Sequence, residues 1–125
     1  MTTVSTYRDL EAWQVGMTLV ERCYAATKSF PLHERFGLTA QLRRAAVSIP
    51  SNVAEGACRR TTNVYINHVS IALGSHGEVE TLIEIAFRLG YLKAPAKDKL
   101  LEVADSSGRL LNGLLRSLES SPPRR

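Results

Sequence analysis

The chain contains few of the side-chain combinations that catalysis or metal binding requires. Di-iron bundles need a Glu followed three residues later by a His on two helices, and that spacing does not occur in this sequence. His76, Glu80 and Glu84 would share one face of a helix, but a single such triplet is a weak indication of a metal site. The motifs GxSxG and HExxH are absent. We therefore predict no catalytic residues, no metal site and no cofactor.

The two cysteines do not point to chemistry either. Neither Cys23 nor Cys58 has a His at helical spacing, and they form no CxxC pair, so buried free thiols in a reducing compartment explain them. No apolar run approaches the ~18 residues of a membrane span, and the amino terminus lacks a basic start followed by an apolar run. These features predict a cytoplasmic protein that is not an enzyme.

Arginine is the residue type whose distribution indicates a ligand. Residues 35–60 contain five arginines and one acidic residue, whereas residues 61–87 contain three glutamates and no Lys or Arg. Arginine neutralises phosphate without needing base-reading geometry. We predict nucleic-acid contacts from Arg43, Arg44, Arg59 and Arg60. The alternative is that these arginines form salt bridges with Glu55, Glu78, Glu80 and Glu84.

Four amphipathic segments must position these side chains. Apolar residues recur at intervals of three and four, and Pro or Gly separates the segments. We predict helices over about 7–29, 34–58, 62–89 and 95–120, in one domain over residues 1–120, with residues 121–125 as a disordered tail. Short links between long helices favour an all-α fold, the antiparallel up-down-up-down four-helix bundle.

Local signals refine this prediction. Pro50 inside the second segment predicts a kink near Ser48–Ser51. Thr61 or Thr62 is the expected N-cap of the third helix, and Gly90 its terminating glycine. In the first helix the spacing predicts a buried stripe that comprises Leu10, Trp13, Met17, Val20 and Tyr24. We therefore expect Trp13 and Tyr24 to be buried rather than to stack on nucleic-acid bases.

The third helix has more apolar surface than a small bundle can cover. Apolar residues fall on two faces more than 90° apart, separated by a strip of small residues that includes Gly74 and Gly77. Each mid-helix glycine costs about 0.5–1 kcal/mol relative to alanine, which close approach of another backbone would offset. That backbone belongs either to the second helix of the same chain or to another subunit. The predicted subunit interface comprises Ser70, Gly74, Gly77, Thr81, Leu82 and Ile85.

Three stretches resemble a known family: DLEAWQ, FPLHERFGLTAQLRRAAVSIPSNVAEG and IALGSHGEVETLIEIAFRLGYL. Together they make residues 7–92 similar to the four helix bundle protein family, also called the 23S ribosomal RNA intervening-sequence proteins. That family resembles in turn the accessory variability proteins of diversity-generating retroelements. The chain departs from the pattern at Asn63-Val64, where charged residues are common, and at His76, where small or apolar residues are usual.

The resemblance implies a homopentamer with no known enzymatic activity. The retroelement proteins that this family resembles bind nucleic acid and a reverse transcriptase. Helical periodicity alone does not fix a subunit number, so five subunits are implied by the resemblance only. We interpret the chain as a homo-oligomeric bundle that serves as a nucleic-acid-binding accessory or scaffold protein. The alternative is an adaptor whose ligand is another protein, in which the arginines only hold subunits together.

Overall fold

The computed structural model describes residues 6–121, and within them every regular element is helical. Two short 3-10 turns, Tyr7–Asp9 and Leu32–Glu34, precede the first and second α-helices. The four α-helices are α1 (Glu11–Thr27), α2 (Leu38–Ala57), α3 (Thr62–Arg88) and α4 (Ala94–Ser120). The chain is thus an all-α four-helix bundle. The tail predicted at 121–125 lies outside the described residues, except for Ser121.

The first two helices begin later than the sequence predicts, because capping interactions occupy the residues before them. Thr6 caps the first 3-10 turn by accepting the Arg8 N–H at 3.1 Å, and α1 starts after Leu10, whose backbone is extended. Before α2, the Glu34 carboxylate accepts the Leu38 N–H at 3.1 Å. Glu34 therefore lies outside α2 as its cap, rather than within the helix.

The predicted ends of α3 are confirmed. The Thr61 hydroxyl accepts the Val64 N–H at 3.2 Å, which satisfies one of the free donors of the first turn. At the other end Gly90 has a φ of +83°, and its N–H donates to Phe87 at 3.0 Å while the Tyr91 N–H donates to Ala86 at 2.9 Å. This paired arrangement is a Schellman motif, which needs a glycine in the left-handed conformation.

Residues from all four helices form the core. Of the stripe predicted for α1, Leu10, Trp13 and Val20 are partly buried against this core, but the fully buried stripe of α1 is a different one. Its buried residues are Ala12, Gly16, Leu19, Cys23 and Thr27. Met17 and Tyr24, which the spacing placed inside, are each 40% exposed. The small side chains explain the difference, since they let α1 approach α2 closely. A Cβ on Gly16 would stand 3.4 Å from Cβ of Pro50, and α2 is helical through that proline.

A row of polar contacts fixes the alignment of α2 against α3. The contacting residues run in opposite order along the two helices, so the helices are antiparallel: Gln41–Glu78 at 3.2 Å, Ser48–Ser75 at 2.7 Å and Asn52–His68 at 3.0 Å. Beyond them, a Cβ on Gly56 would lie 2.8 Å from the His68 Cβ. Such a contact leaves no room for any side chain other than hydrogen, so this glycine sets the close approach of the two helices.

Candidate functional site

Arg43 is held in place by two residues of α1. Its Nε donates to Oγ1 of Thr27 at 2.8 Å, and its Cζ lies 4.5 Å from the ring centroid of Tyr24. Thr27 is almost fully buried, and its hydroxyl lies 2.8 Å from the Cys23 carbonyl oxygen, to which it donates. The partly exposed Tyr24 ring therefore packs against the Arg43 guanidinium on the surface formed by α1 and α2.

Arg44 projects to the other side of α2. It is exposed and lines a shallow groove of about 340 Å³ between α2 and α3, which Glu78 also lines. The Glu78 carboxylate accepts a hydrogen bond from Gln41 at 3.2 Å, and no ion pair between Arg44 and a carboxylate is found within residues 6–121. The two adjacent arginines therefore belong to different surfaces.

Arg59 and Arg60 follow the end of α2 and are both exposed. Arg59 pairs with Glu55 at 3.0 Å with both side chains 52% exposed, which confirms the predicted helical pair. An exposed pair of this kind is worth about 0–1 kcal/mol, so it does not prevent Arg59 from binding elsewhere. From Arg43 to Ala57, the last residue of α2, the helix already rises roughly 21 Å at about 1.5 Å per residue. The four arginines therefore do not form one site.

The other acid–arginine pairs of that alternative do not form within residues 6–121, where the three glutamates of α3 have other partners. Glu78 is bound by Gln41. Glu80 lies 3.7 Å from Nδ1 of His76. Glu84 accepts from Arg88 at 2.8 Å and lies 4.0 Å from Lys97, and the hydrogen bond from Arg88 lowers its pKa.

His76 has a structural partner that its spacing to Glu80 did not reveal. Its Nε2 lies 2.7 Å from the backbone oxygen of Ala104 in α4. Gly108 makes room for the ring, since a Cβ there would stand 2.7 Å from two of its atoms. No group of three or more His, Cys, Asp or Glu residues suited to a metal ion is found in the part of the chain that the structure describes. Nor is any helix among residues 6–121 long and apolar enough to cross a membrane.

Five of the six residues predicted for a subunit interface are on the outside of α3, and Leu82 is not. Leu82 is only 4% exposed and belongs to the hydrophobic core, so its place in the predicted interface is wrong. One residue of helix is a turn of about 100°, which separates Leu82 from its exposed neighbour Thr81. The remaining residues all lie on the surface: Ser70, Gly74, Gly77, Thr81 and Ile85.

The two exposed glycines of α3 have open space where a side chain would project. A Cβ built on Gly74 or Gly77 meets no atom within 4 Å. Close packing against α2 therefore does not explain them, and that role belongs to Gly56. Exposed apolar residues accompany these glycines, at 40–55% exposure: Val64, Ile71, Ile85 and Leu89.

The outer face of α3 also has a regular period. Val64, Ile71 and Ile85 occupy positions separated by multiples of seven, and so do Gly74 and Thr81. Two series offset by three residues correspond to the a and d positions along which helices pack in coiled coils, although Glu78 interrupts the first series and Asn67 and Arg88 flank the second. We call the exposed residues Val64, Ile71, Gly74, Thr81 and Ile85 the α3 seam. The sequence pattern contained this period, but only the structure shows that the seam faces outward.

Comparison with known proteins agrees with this architecture. The sequence matches the 23S rRNA-intervening sequence protein family over residues 8–113. The chain belongs to this family. No curated protein matches it. A crystal structure of a protein of unknown function from the S23 ribosomal protein family of Bacteroides thetaiotaomicron is similar to it, with a TM-score of 0.78 and 20% identity, covering 84% of this chain and 95% of that chain. At that identity the likeness shows the fold alone.

The range matched by the 23S rRNA-intervening sequence protein family includes all of the candidate residues, from Arg43 to Ile85. It also includes His76, which stands where small or apolar residues are usual in the family. The contact of its ring with Gly108 and Ala104 shows how this family member accommodates an imidazole between α3 and α4.

Proposed function

We propose that the protein is a non-enzymatic homo-oligomer, a pentamer, that acts as a nucleic-acid-binding accessory or scaffold in the cytoplasm. The observation that carries this proposal is the α3 seam, an apolar and glycine-containing helix face that its own subunit leaves uncovered. A second copy of the same seam is the simplest complementary surface, because a heptad stripe packs against another helix. The number five follows from the family resemblance.

Assembly would strengthen the electrostatic attraction for a polyanion. Each chain carries a formal charge of +4, so a ring of five would carry about +20, and clustered charge of one sign steers an oppositely charged ligand to the surface. Arg44 and Arg60 are exposed, and long cationic side chains of this kind bind phosphate by neutralisation. The resemblance to retroelement accessory proteins supports nucleic acid as the class of ligand.

A protein–protein adaptor is the second candidate function. The observation in its favour is that two of the four predicted arginines already have partners within the chain, Arg43 with Thr27 and Arg59 with Glu55. In the adaptor, the basic residues serve the fold and the assembly, and the ligand is a protein.

Two measurements test the proposal. Light scattering coupled to size exclusion gives the subunit number, and a lone subunit at micromolar concentration would contradict the assembly. Binding of a labelled single-stranded RNA is then followed by fluorescence anisotropy over a salt series, where the affinity should fall steeply as salt rises, with a log–log slope of about −0.7 per phosphate contacted.

The variant R59E/R60E should weaken RNA binding by about tenfold or more, because two phosphate contacts are reversed in sign. The matched control is R109E/R116E, which makes the same charge change at two exposed arginines of α4. Equal weakening in both variants would show that net charge alone governs binding. An absence of RNA binding by the unmodified chain at low salt would favour the adaptor.

A further inference from the structure

A surface cleft of about 290 Å³ lies where the end of α1, the α1–α2 link and the first turns of α2 meet. Three cationic side chains line it, Lys28, Arg35 and Arg43, and no carboxylate does. Two threonines, Thr27 and Thr39, contribute hydroxyl groups to the same lining. Of the arginines predicted from the sequence, only Arg43 belongs to this cleft. The cleft brings it together with two cations that come from the link region.

Arg43 is preorganised for an anion. The Thr27 hydroxyl lies 2.8 Å from the backbone oxygen of Cys23 and 3.1 Å from that of Tyr24, so its proton is used in donating to these carbonyl groups. The hydroxyl oxygen therefore acts as the acceptor for the Nε–H of Arg43. The Tyr24 ring supports the guanidinium from one face at 4.5 Å. The two terminal nitrogens of Arg43 form no hydrogen bond within residues 6–121. They remain as a planar pair of donors, the geometry that binds two oxygens of a phosphate at once.

The carboxylate closest to the cleft in sequence accepts hydrogen bonds from groups outside the cleft. Residues 22–44 contain five Lys and Arg residues and a single acidic residue, Glu34. One oxygen of Glu34 accepts the Leu38 N–H at 3.1 Å, and the other accepts the Tyr91 hydroxyl at 2.9 Å. Glu34 keeps its negative charge, but it forms no ion pair with Lys28, Arg35 or Arg43 within residues 6–121.

The α1–α2 link, which supplies part of the cleft lining, also has exposed apolar and aromatic side chains. Leu32 lines the cleft and is 80% exposed. Phe36 follows in the same link and is 82% exposed, with the Arg35 guanidinium 4.5 Å from its ring centroid. An aromatic face beside phosphate-binding cations is the arrangement on which bases stack. The volume is slightly below the roughly 300–1,000 Å³ of sites for drug-sized ligands, which suits a phosphate with an attached sugar and base at the rim.

We propose that this cleft binds the phosphate group of a nucleotide, with Arg43 and the cations Lys28 and Arg35 as its ligands and Phe36 as the stacking surface. The nucleotide is either one unit of a polynucleotide or a free mononucleotide, since both present the same group. The first source rests on the proposed function, whereas the second does not.

The test uses full-length protein labelled with ¹⁵N and three probes: inorganic phosphate, adenosine monophosphate and a single-stranded RNA. Each probe should shift the amide signals of Lys28 and Thr39 and the Nε–H signal of Arg43. The variant K28Q/R35Q should bind adenosine monophosphate and RNA at least about tenfold more weakly, the loss expected for removing charge-assisted hydrogen bonds. The matched control K99Q/R109Q removes one lysine and one arginine that are exposed on α4 and do not line the cleft.

The variant R43K provides a second reading that is independent of net charge. It keeps the positive charge but loses the planar fork and the bond to Thr27, so it should weaken adenosine monophosphate binding while circular dichroism shows an intact helical fold. If adenosine monophosphate binds in the cleft but RNA does not bind, the inference holds for the free nucleotide and the proposed nucleic-acid function fails.

Two results would overturn the inference. In the first, RNA binds but K28Q/R35Q and K99Q/R109Q weaken it equally, so that the proposed function stands and the cleft has no special part in it. In the second, none of the three probes shifts the signals of the cleft residues.

Discussion

Replacing Gly74 with alanine separates the properties of the lone subunit from those of the assembly. Within the subunit the added Cβ meets nothing within 4 Å, so the change only removes the backbone entropy cost of a glycine inside a helix. That gain is about 0.5–1 kcal/mol. In a chain of this size it raises the Tm by roughly 2–5 °C. Alanine should therefore stabilise the dissociated subunit.

In the proposed assembly the same methyl group has the opposite effect. If the α3 seam of one subunit packs closely on a neighbour at Gly74, the added Cβ overpacks the interface, which typically costs about 1–3 kcal/mol. Since about 1.4 kcal/mol is a factor of ten in an equilibrium constant, we expect each subunit contact to weaken by about tenfold or more. One substitution thus raises subunit stability and lowers association.

The assay measures both quantities over a range of protein concentration. Sedimentation equilibrium gives the association constant, and thermal unfolding at low and high concentration gives the stability with and without assembly, because association adds stability by mass action. Gly113→Ala in α4 is the matched control. Its Cβ would meet only the Arg116 side chain, at 3.9 Å, so it should stabilise the protein at every concentration.

The reasoning fails if Gly74→Ala behaves like Gly113→Ala. A stability gain that is independent of concentration, with an unchanged association constant, would mean that no second backbone approaches the α3 seam at this glycine.

Other changes test the fold directly. Gly56→Ala places a Cβ 2.8–2.9 Å from two α3 side chains, so urea unfolding should show a loss of about 1–3 kcal/mol; unchanged stability would contradict the close approach of α2 and α3. Burial raises the pKa of Cys23 to about 12, whereas Cys58 is exposed, so a thiol reagent should modify only Cys58 until the protein is unfolded. The Leu38 N–H and the Tyr91 hydroxyl lower the pKa of Glu34 below 4.5, so its contribution is present above pH 4.5 and lost as the pH falls through the folded pKa. The Glu34→Gln variant should accordingly melt below the wild type at neutral pH and alongside it in acid, and a pH-independent difference would contradict this.

Much of the architecture could be predicted from local sequence signals. The ends of α3 depend on a threonine hydroxyl and on a glycine with positive φ, both of which act over three or four residues. The start of α2 could not be predicted in the same way, because Glu34 is a good helix former used here as a cap. Its other carboxylate oxygen accepts a hydrogen bond from Tyr91, a residue far away in sequence that local signals do not include.

The candidate surfaces could be predicted only in part, because function depends on which side of a helix faces out. The period of α3 identified two apolar faces, but a turn of about 100° per residue decides that Thr81 is exposed and Leu82 buried. The arginines show the same limit at longer range. Arg43 and Arg44 are neighbours in sequence, yet Arg43 is held at α1 while Arg44 lines the groove toward α3. Two adjacent arginines in a helix therefore indicate two separate surfaces more readily than one binding site. Their position in sequence predicts a binding surface only after tertiary contacts, such as that of Arg43 with Thr27, show which way each side chain points.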